Sequence, residues 1–249
     1  MHRAAYTDAD FRSALADETD RGFCIGCHAP AATSDGIDCL GCHATPGSHA
    51  ERGAGPVTTV PCASCHEFAF PHEREKMQTT ASEHAASPYA SVACAACHMP
   101  RGDHAFAASR DLAALAAALD VRAARTSPTS IAVTLRSRGV GHDFPTGDLF
   151  RRLRVWAWAE DARGVVVADA ERTLARDFVD RDGGRHQGAD TRVSPNGPSV
   201  IDLDLGKDAS GCAVEVRVYY ERVAEERAGR ASLFASNVIG AARVEGSDR

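Results

Sequence analysis

The sequence predicts an α+β protein: a helix-and-loop N-terminal domain, then an antiparallel, β-sandwich-like C-terminal domain. Three observations predict it. Large apolar side chains (Val, Ile, Leu, Met, Phe, Trp, Tyr) number 17 in residues 1–106 and 37 in residues 107–249. All but one of the nine cysteines lie in the apolar-poor half. Beyond Ile131 the hydrophobic period becomes two, the signature of half-buried strands. These shifts place domains at 1–106 and 128–249, joined by a connecting helix over 107–127. The chain has 249 residues, 44% hydrophobic and 25% charged, as expected of a globular protein of one large or two modest domains. No run approaches the roughly 18 apolar residues of a membrane-spanning helix. A net charge of -6 and a pI near 6.0 argue against nucleic acid as a partner, which would favour a basic face.

Residues 1–106 cannot offset their chain entropy with so few apolar side chains, so something other than protein must supply the core. Four repeats say what: Cys24-Ile25-Gly26-Cys27-His28, Cys39-Leu40-Gly41-Cys42-His43, Cys62-Ala63-Ser64-Cys65-His66 and Cys94-Ala95-Ala96-Cys97-His98. Each is C-x-x-C-H, the attachment pattern of c-type haem. Two thiols three residues apart each form a thioether to one porphyrin, and the adjacent His falls beneath the ring as proximal ligand. Zinc ribbons, disulfide staples and thioredoxin-like pairs also use C-x-x-C, but none needs the following His. At 11 His in 249 residues, four such coincidences have odds of about four in a million. The expected cofactors are therefore four covalently attached haem c groups. The thioethers come from Cys24, Cys27, Cys39, Cys42, Cys62, Cys65, Cys94 and Cys97, and the proximal ligands are His28, His43, His66 and His98. Ten residues between His28 and Cys39, and eighteen between His43 and Cys62, keep successive haems close together.

Five further histidines are candidate distal ligands for four irons. His49 follows Ala44-Thr45-Pro46-Gly47-Ser48, and His104 follows Met99-Pro100-Arg101-Gly102-Asp103; both leave a haem motif through a turn. His142 sits between Gly141 and Asp143-Phe144-Pro145-Thr146-Gly147, where Gly and Pro hold a fixed pose. His84 precedes the helix expected to carry the fourth motif, and His2 the one leading to the first. For each, the alternative is a solvated turn or helix-surface histidine. His72 and His186 read as surface residues. Met77 is a further possible ligand, whereas Met99 lies too near its own proximal His to reach the opposite face.

Ser109 to Arg125 read as a helix, with Leu112, Leu115 and Leu119 on one face, Ser109 as cap and Ser127-Pro128 as stop. Alternation then runs through Ile131-Val133-Leu135, Leu153-Val155-Ala157, Val165-Val167 and Val214-Val216-Val218-Tyr220. Gly- and Asn-rich turns punctuate these runs. Trp156 and Trp158 share a face opposite Val155. Cys212 reads as a small buried hydrophobe. This half carries no catalytic triad or phosphate loop and reads as a scaffold that lends His142.

The chain resembles the tetrahaem relatives of cytochrome c-554 among multihaem c-type cytochromes. The resembling residues are Phe23 to Pro30, Asp38 to His43 with His49 downstream, Cys94 to Pro100, and Asp103-His104-Ala105-Phe106. The loop Gly141 to Gly147, continuing through Asp148 to Arg152, is similar to one in tetrahaem proteins with a C-terminal β domain. The resemblance implies low-potential, bis-histidine haems that transfer electrons. It implies His49, His104 and His142 as distal ligands, with His84 or His2 for the fourth iron. The layout is similar to that of extracellular cytochrome nanowire subunits, in which a neighbouring subunit supplies one ligand. The second motif departs from these relatives in having Ala44-Thr45 where Gly-Pro is frequent.

The expected function is therefore electron transfer along a row of four haems, with redox proteins as partners and self-association into a filament as a special case. The alternative is a redox enzyme with one open iron acting on a small nitrogen or sulfur species, with Tyr6 or Tyr89 among its donors. Haem c is attached outside the cytoplasm, so the expected location is periplasmic or extracellular. No signal peptide precedes His2, which predicts a mature or trimmed chain. Haem propionates would carry the net charge to about -10, favouring a positively charged partner.

Overall fold

The computed structural model describes residues 2–16, 18–30, 35–38, 42, 60–71, 73–106, 108–147, 150–181, 184–227 and 230–246. The chain divides into two units: Met1–Ala108 with Asp180–His186, and Ser109–Val179 with Gln187–Arg249. Short helices make up much of the first unit and antiparallel strands most of the second, a mixed α+β protein.

In the first unit, a 3-10 turn at His2–Ala4 leads to α1 (Ala9–Ala16) and α2 (Arg21–His28). Asp8 Oδ1 accepts from the amides of Asp10 and Phe11 at 3.1 and 3.2 Å, and Asp20 Oδ1 from Phe23 at 3.4 Å; each carboxylate satisfies amides that begin a helix. Next come α3 (Val60–His66), β1 (Glu67–Ala69), β2 (Lys76–Thr79), α4 (Thr80–Ala85) and α5 (Cys94–His98). The antiparallel β1–β2 pair is an element that the apolar pattern did not predict. Glu67, on β1, ties it to α4. Its carboxylate accepts from Lys76 Nζ at 2.7 Å, from the Ser82 hydroxyl, and from the Ala81 and Ser82 amides at 3.1 and 3.0 Å. Burial alone would raise the Glu67 pKa, but these bonds outweigh it and lower it. Among the described residues of this unit, the buried apolar side chains are Leu15, Ala29 and Met77. Phe23, Phe68 and Phe70 add an edge-to-face cluster with centroids 5.6–5.8 Å apart.

The second unit opens with a correction. The helix expected over Ser109–Arg125 is only α6 (Leu112–Ala117), capped by Asp111, whose Oδ1 accepts from the amides of Ala113 and Ala114 at 3.0 Å. From Leu119 the chain is strand β3 (Leu119–Ser127). The three-leucine stripe fails because Leu112 is 50% exposed. In β3 the side chains alternate instead, and the ladder to β4 (Ser130–Ser137) satisfies the backbone in register Leu119↔Ser137 to Arg125↔Ile131.

One antiparallel sheet has the order β3-β4-β9, with β9 at Ser199–Asp204. A second has the order β11-β10-β5-β6, from Arg230–Val244, Ala213–Arg227, Arg151–Glu160 and Val166–Leu174. A further pair, β7 (Arg176–Arg181) and β8 (Gly184–Asp190), completes the strands. Ile131, Val133 and Leu135 of β4 join Leu153, Val155 and Ala157 of β5, Ile201 and Leu203 of β9, and Val214, Val216 and Val218 of β10 in one core. The two sheets approach closely where β11 meets β3. A Cβ at Gly240 would lie 2.5 Å from Val121 Cγ2, so any larger residue would have to displace the Val121 side chain.

On the other face of β5 and β10, Glu221 is 1% exposed and held by two arginines. Arg152 Nε donates to Oε2 at 2.8 Å, while Arg154 Nε and the Ser236 hydroxyl donate to Oε1 at 2.9 and 3.2 Å. Farther along β5, Trp156 and Trp158 stack at 4.2 Å, on the face the alternation predicts. Cys212 is half-buried against the core at the start of β10.

Candidate functional site

Three of the four motifs are described in full, and each fills the last turn of a helix. Cys24, Cys27 and His28 close α2; Cys62, Cys65 and His66 close α3; Cys94, Cys97 and His98 form α5. One helical turn places the two thiols of a motif near one side and lets the terminal His leave at the next position. Of the second motif, only Cys42 is described. Cys39, His43 and the candidate distal ligand His49 lie outside the described residues, as does His72.

The motifs converge. The Cys27 thiol lies beside that of Cys65, and the Cys62 thiol beside that of Cys94, close enough to shift each other's titration. Cys42 is close enough to Cys62 to raise its pKa. The third motif is thus the hub of the cluster. The neighbouring Cys27 thiol lowers the pKa of Cys65 to about 6, against the opposing effect of burial. Cys94 is lowered to about 6 first by Cys62, and further by the nearby His84 and His98.

His28 and His66 each have a neighbour on the ring or on Nδ1. His28 stacks on Phe11, with centroids 3.8 Å apart and planes 6° from parallel, and its Nδ1 lies 3.5 Å from the Ala5 carbonyl oxygen. His66 Nδ1 lies 2.8 Å from the side-chain amide of Gln78, itself only 7% exposed. An Nδ1 that donates to a carbonyl oxygen, as His28 Nδ1 can to Ala5 O, leaves Nε2 free to bind a metal.

The candidate distal ligands are distributed as follows. His2, on the N-terminal turn, lies among the proximal histidines of three motifs. Burial, then the charges of His66, the chain amino group, His98 and His28, lower its pKa to about 4. Its Nδ1 is buried without a hydrogen-bond partner. His84 is half-buried on α4 beside Cys94. His104 is exposed, on a loop where Arg101 and Phe106 take positive φ of 59° and 50°. His142 belongs to the second unit. Its Nδ1 lies 3.0 Å from the Asp143 carbonyl oxygen, and an Arg192 that is 8% exposed pins the loop around it. Arg192 donates to Pro145 O at 3.3 Å, Asp143 Oδ2 at 3.4 Å and both Asp190 oxygens at 2.9 and 2.7 Å.

Met77 is 1% exposed on β2. Tyr6 lies under the Arg12 guanidinium, 5.8 Å from its ring centre, and Tyr89 is half-buried. His186, read from the sequence as a surface residue, is half-buried. It lies on β8, in the segment grouped with the first unit, with Nδ1 3.9 Å from Glu75 Oε1. Its distance in sequence from every motif hid this placement, and no local pattern marks it.

The first unit fits covalently bound haem c on three counts. Its motif helices present two thiols and a histidine each. Its described residues supply almost no apolar core of their own. A buried imidazole nitrogen, His2 Nδ1, stands without a partner among the proximal histidines. Among the described residues, no helix is long and apolar enough to cross a membrane.

No family model and no curated protein matches the chain. Among solved structures, its fold is similar to that of a penta-heme cytochrome c552 from Thermochromatium tepidum, with 23% identity and a TM-score of 0.61. The likeness covers 75% of this chain, which spans 55% of the length of that protein.

Proposed function

We propose that this chain is a tetrahaem c-type cytochrome that passes electrons along a row of closely spaced haems. The observation that carries the reading is the convergence of three C-x-x-C-H helices, with Cys42 of the fourth motif beside them, in a unit whose described residues bury almost no apolar side chains. The four haems would be held by the eight motif cysteines and by His28, His43, His66 and His98. His2, His49, His84, His104 and His142 are the candidates for the opposite faces. Haem c supplies a one-electron carrier; the protein's part is to hold the irons close together and keep water and small ligands from them. The likeness to a penta-heme cytochrome supports the reading at the level of fold. The expected setting is periplasmic or extracellular, with redox proteins as partners, in the manner of the cytochrome c-554-like proteins.

The test joins a haem count by intact mass with EPR and visible spectra of the oxidised protein, and CO addition after reduction, at several dilutions. Four covalent haems, all low-spin and indifferent to CO at every dilution, are the expected result for a self-contained carrier. A CO-binding, high-spin haem that persists at high concentration would replace this reading with a redox enzyme. One that emerges only on dilution would place its missing ligand on a neighbouring subunit, as in a conducting filament. A protein without covalent haem would end the reading.

A further inference from the structure

The structure assigns His2 and His66 to opposite faces of one iron, that of the haem carried by Cys62 and Cys65, with Gln78 as the positioning residue behind His66. The assignment rests on the haem-binding reading above. The neighbouring motif in sequence would be the first, so proximity along the chain does not predict it.

The two imidazole rings have centroids 6.1 Å apart and planes 82° from parallel. Two imidazoles bound to opposite sides of one metal, with bonds of about 2.0–2.1 Å and ring nitrogens about 1.1 Å from their ring centres, have centroids about 6.2–6.4 Å apart. An edge-to-face ring pair has the same range of spacing, so distance alone does not decide. The His2 Nδ1 favours the metal: it is buried without a partner, and as the nitrogen facing the iron, unlike the occupied Nδ1 of His28 and His66, it would gain one.

The backbone holds His2 in place. Its carbonyl accepts from the amides of Ala5 at 3.1 Å and Ile37 at 2.8 Å, and Tyr6 and Thr7 bond to Asp35 O. Gly36 passes so close to this turn that a Cβ there would collide with the His2 carbonyl oxygen and the Ala5 nitrogen. The segment approaching the second motif thus locks the N-terminal turn. The same turn presents Ala5 O to His28, so it links the first and third motifs.

On the other side, the Gln78 amide lies 2.8 Å from His66 Nδ1 and 3.2 Å from Thr80 Oγ1. Gln78 Nε2 donates to Thr80 Oγ1 and faces His66 Nδ1. With His66 Nε2 on an iron, Nδ1 would carry the proton, and the Gln78 amide would turn to present Oε1 to it.

The experiment compares His2→Ala and His2→Met in two haem-loaded backgrounds. One is the native chain; the other carries Cys62→Ala, Cys65→Ala and His66→Ala and so lacks the third haem, as mass would confirm. In the native chain, His2→Ala should make one haem of four high-spin and CO-binding, while His2→Met should keep it low-spin and raise its midpoint potential. In the three-haem background neither substitution should change the remaining spectra. A new high-spin haem there would overturn the assignment and give His2 to another iron. No spectral change in either background would show the ring pair to be packing alone. Gln78→Leu should raise, and Gln78→Glu lower, the potential of the same haem that His2→Met moves; an effect on a different haem, or on none, would remove Gln78 from this role. A native chain with no haem at Cys62 and Cys65 would instead refute the haem reading itself.

Discussion

Single residues set the sharpest energetic conditions, and Glu221 is the clearest case. Its carboxylate is 1% exposed and anchored by Arg152, Arg154 and Ser236. Removing one partner of a buried ion pair strands the other, but the Arg152 and Arg154 side chains keep 18% and 25% of their exposure and can partly rehydrate. Glu221→Ala should therefore destabilise the protein by about 2–4 kcal/mol and Glu221→Gln by less, measured by urea unfolding. An unchanged midpoint in both variants would mean that the cluster contributes no net stability. Asp190 sets a pH dependence. Burial would raise its pKa, but the Arg192 hydrogen bonds and charge outweigh it and lower it. A depressed folded-state value stabilises the fold above the ordinary aspartate range and loses that contribution as pH falls through the folded-state pKa. The melting temperature should decline below about pH 4, and Asp190→Asn should flatten that decline, as calorimetry across the acid range would show. An identical acid slope in the variant would remove Asp190 from this role.

At the scale of elements, the sequence was legible where the pattern was strong and misleading where two patterns competed. The inward residues of β4, β5 and β10 alternate as expected, because one face of each is buried in the core and the other is not. The stretch after Asp111 satisfied a helical period with three leucines and a strand period with Leu119, Val121 and Ala123. Pairing with β4 decided it, and pairing is invisible to a local window. The strand β11 escaped notice because Gly240 and a run of small residues break its alternation, yet that glycine is what lets β11 approach β3. For the site, the C-x-x-C-H spacing made the motif residues readable without any structure. The distal side was not readable, because a ligand reaching across a haem need not be a sequence neighbour of the motif it serves. The rings of His2 and His66, 64 positions apart in the chain, meet at 6.1 Å between centroids, a pairing that no local pattern announces. The Gln78 and Arg192 side chains, which hold His66 and the loop of His142, carry no sequence signal at all.

For the whole molecule, the uneven distribution of apolar side chains becomes a statement about what folds without cofactor. Among the described residues of the first unit only Leu15, Ala29 and Met77 are buried apolar side chains, too little apolar surface to offset the chain entropy of a unit of this length. The second unit closes its core from Ile131, Val155, Val216 and their neighbours and has no such deficit. The full chain with Cys24, Cys27, Cys39, Cys42, Cys62, Cys65, Cys94 and Cys97 all changed to Ala should therefore be half-folded. Hydrogen exchange read by mass spectrometry should show the amides of α1 to α5 exchanging at nearly unfolded rates, while β4, β5 and β10 keep their protection. In the haem-loaded protein both regions should be protected. Equal protection of α1 to α5 in the two forms would mean that the first unit has a core of its own, and the reason for placing haems at its centre would be lost.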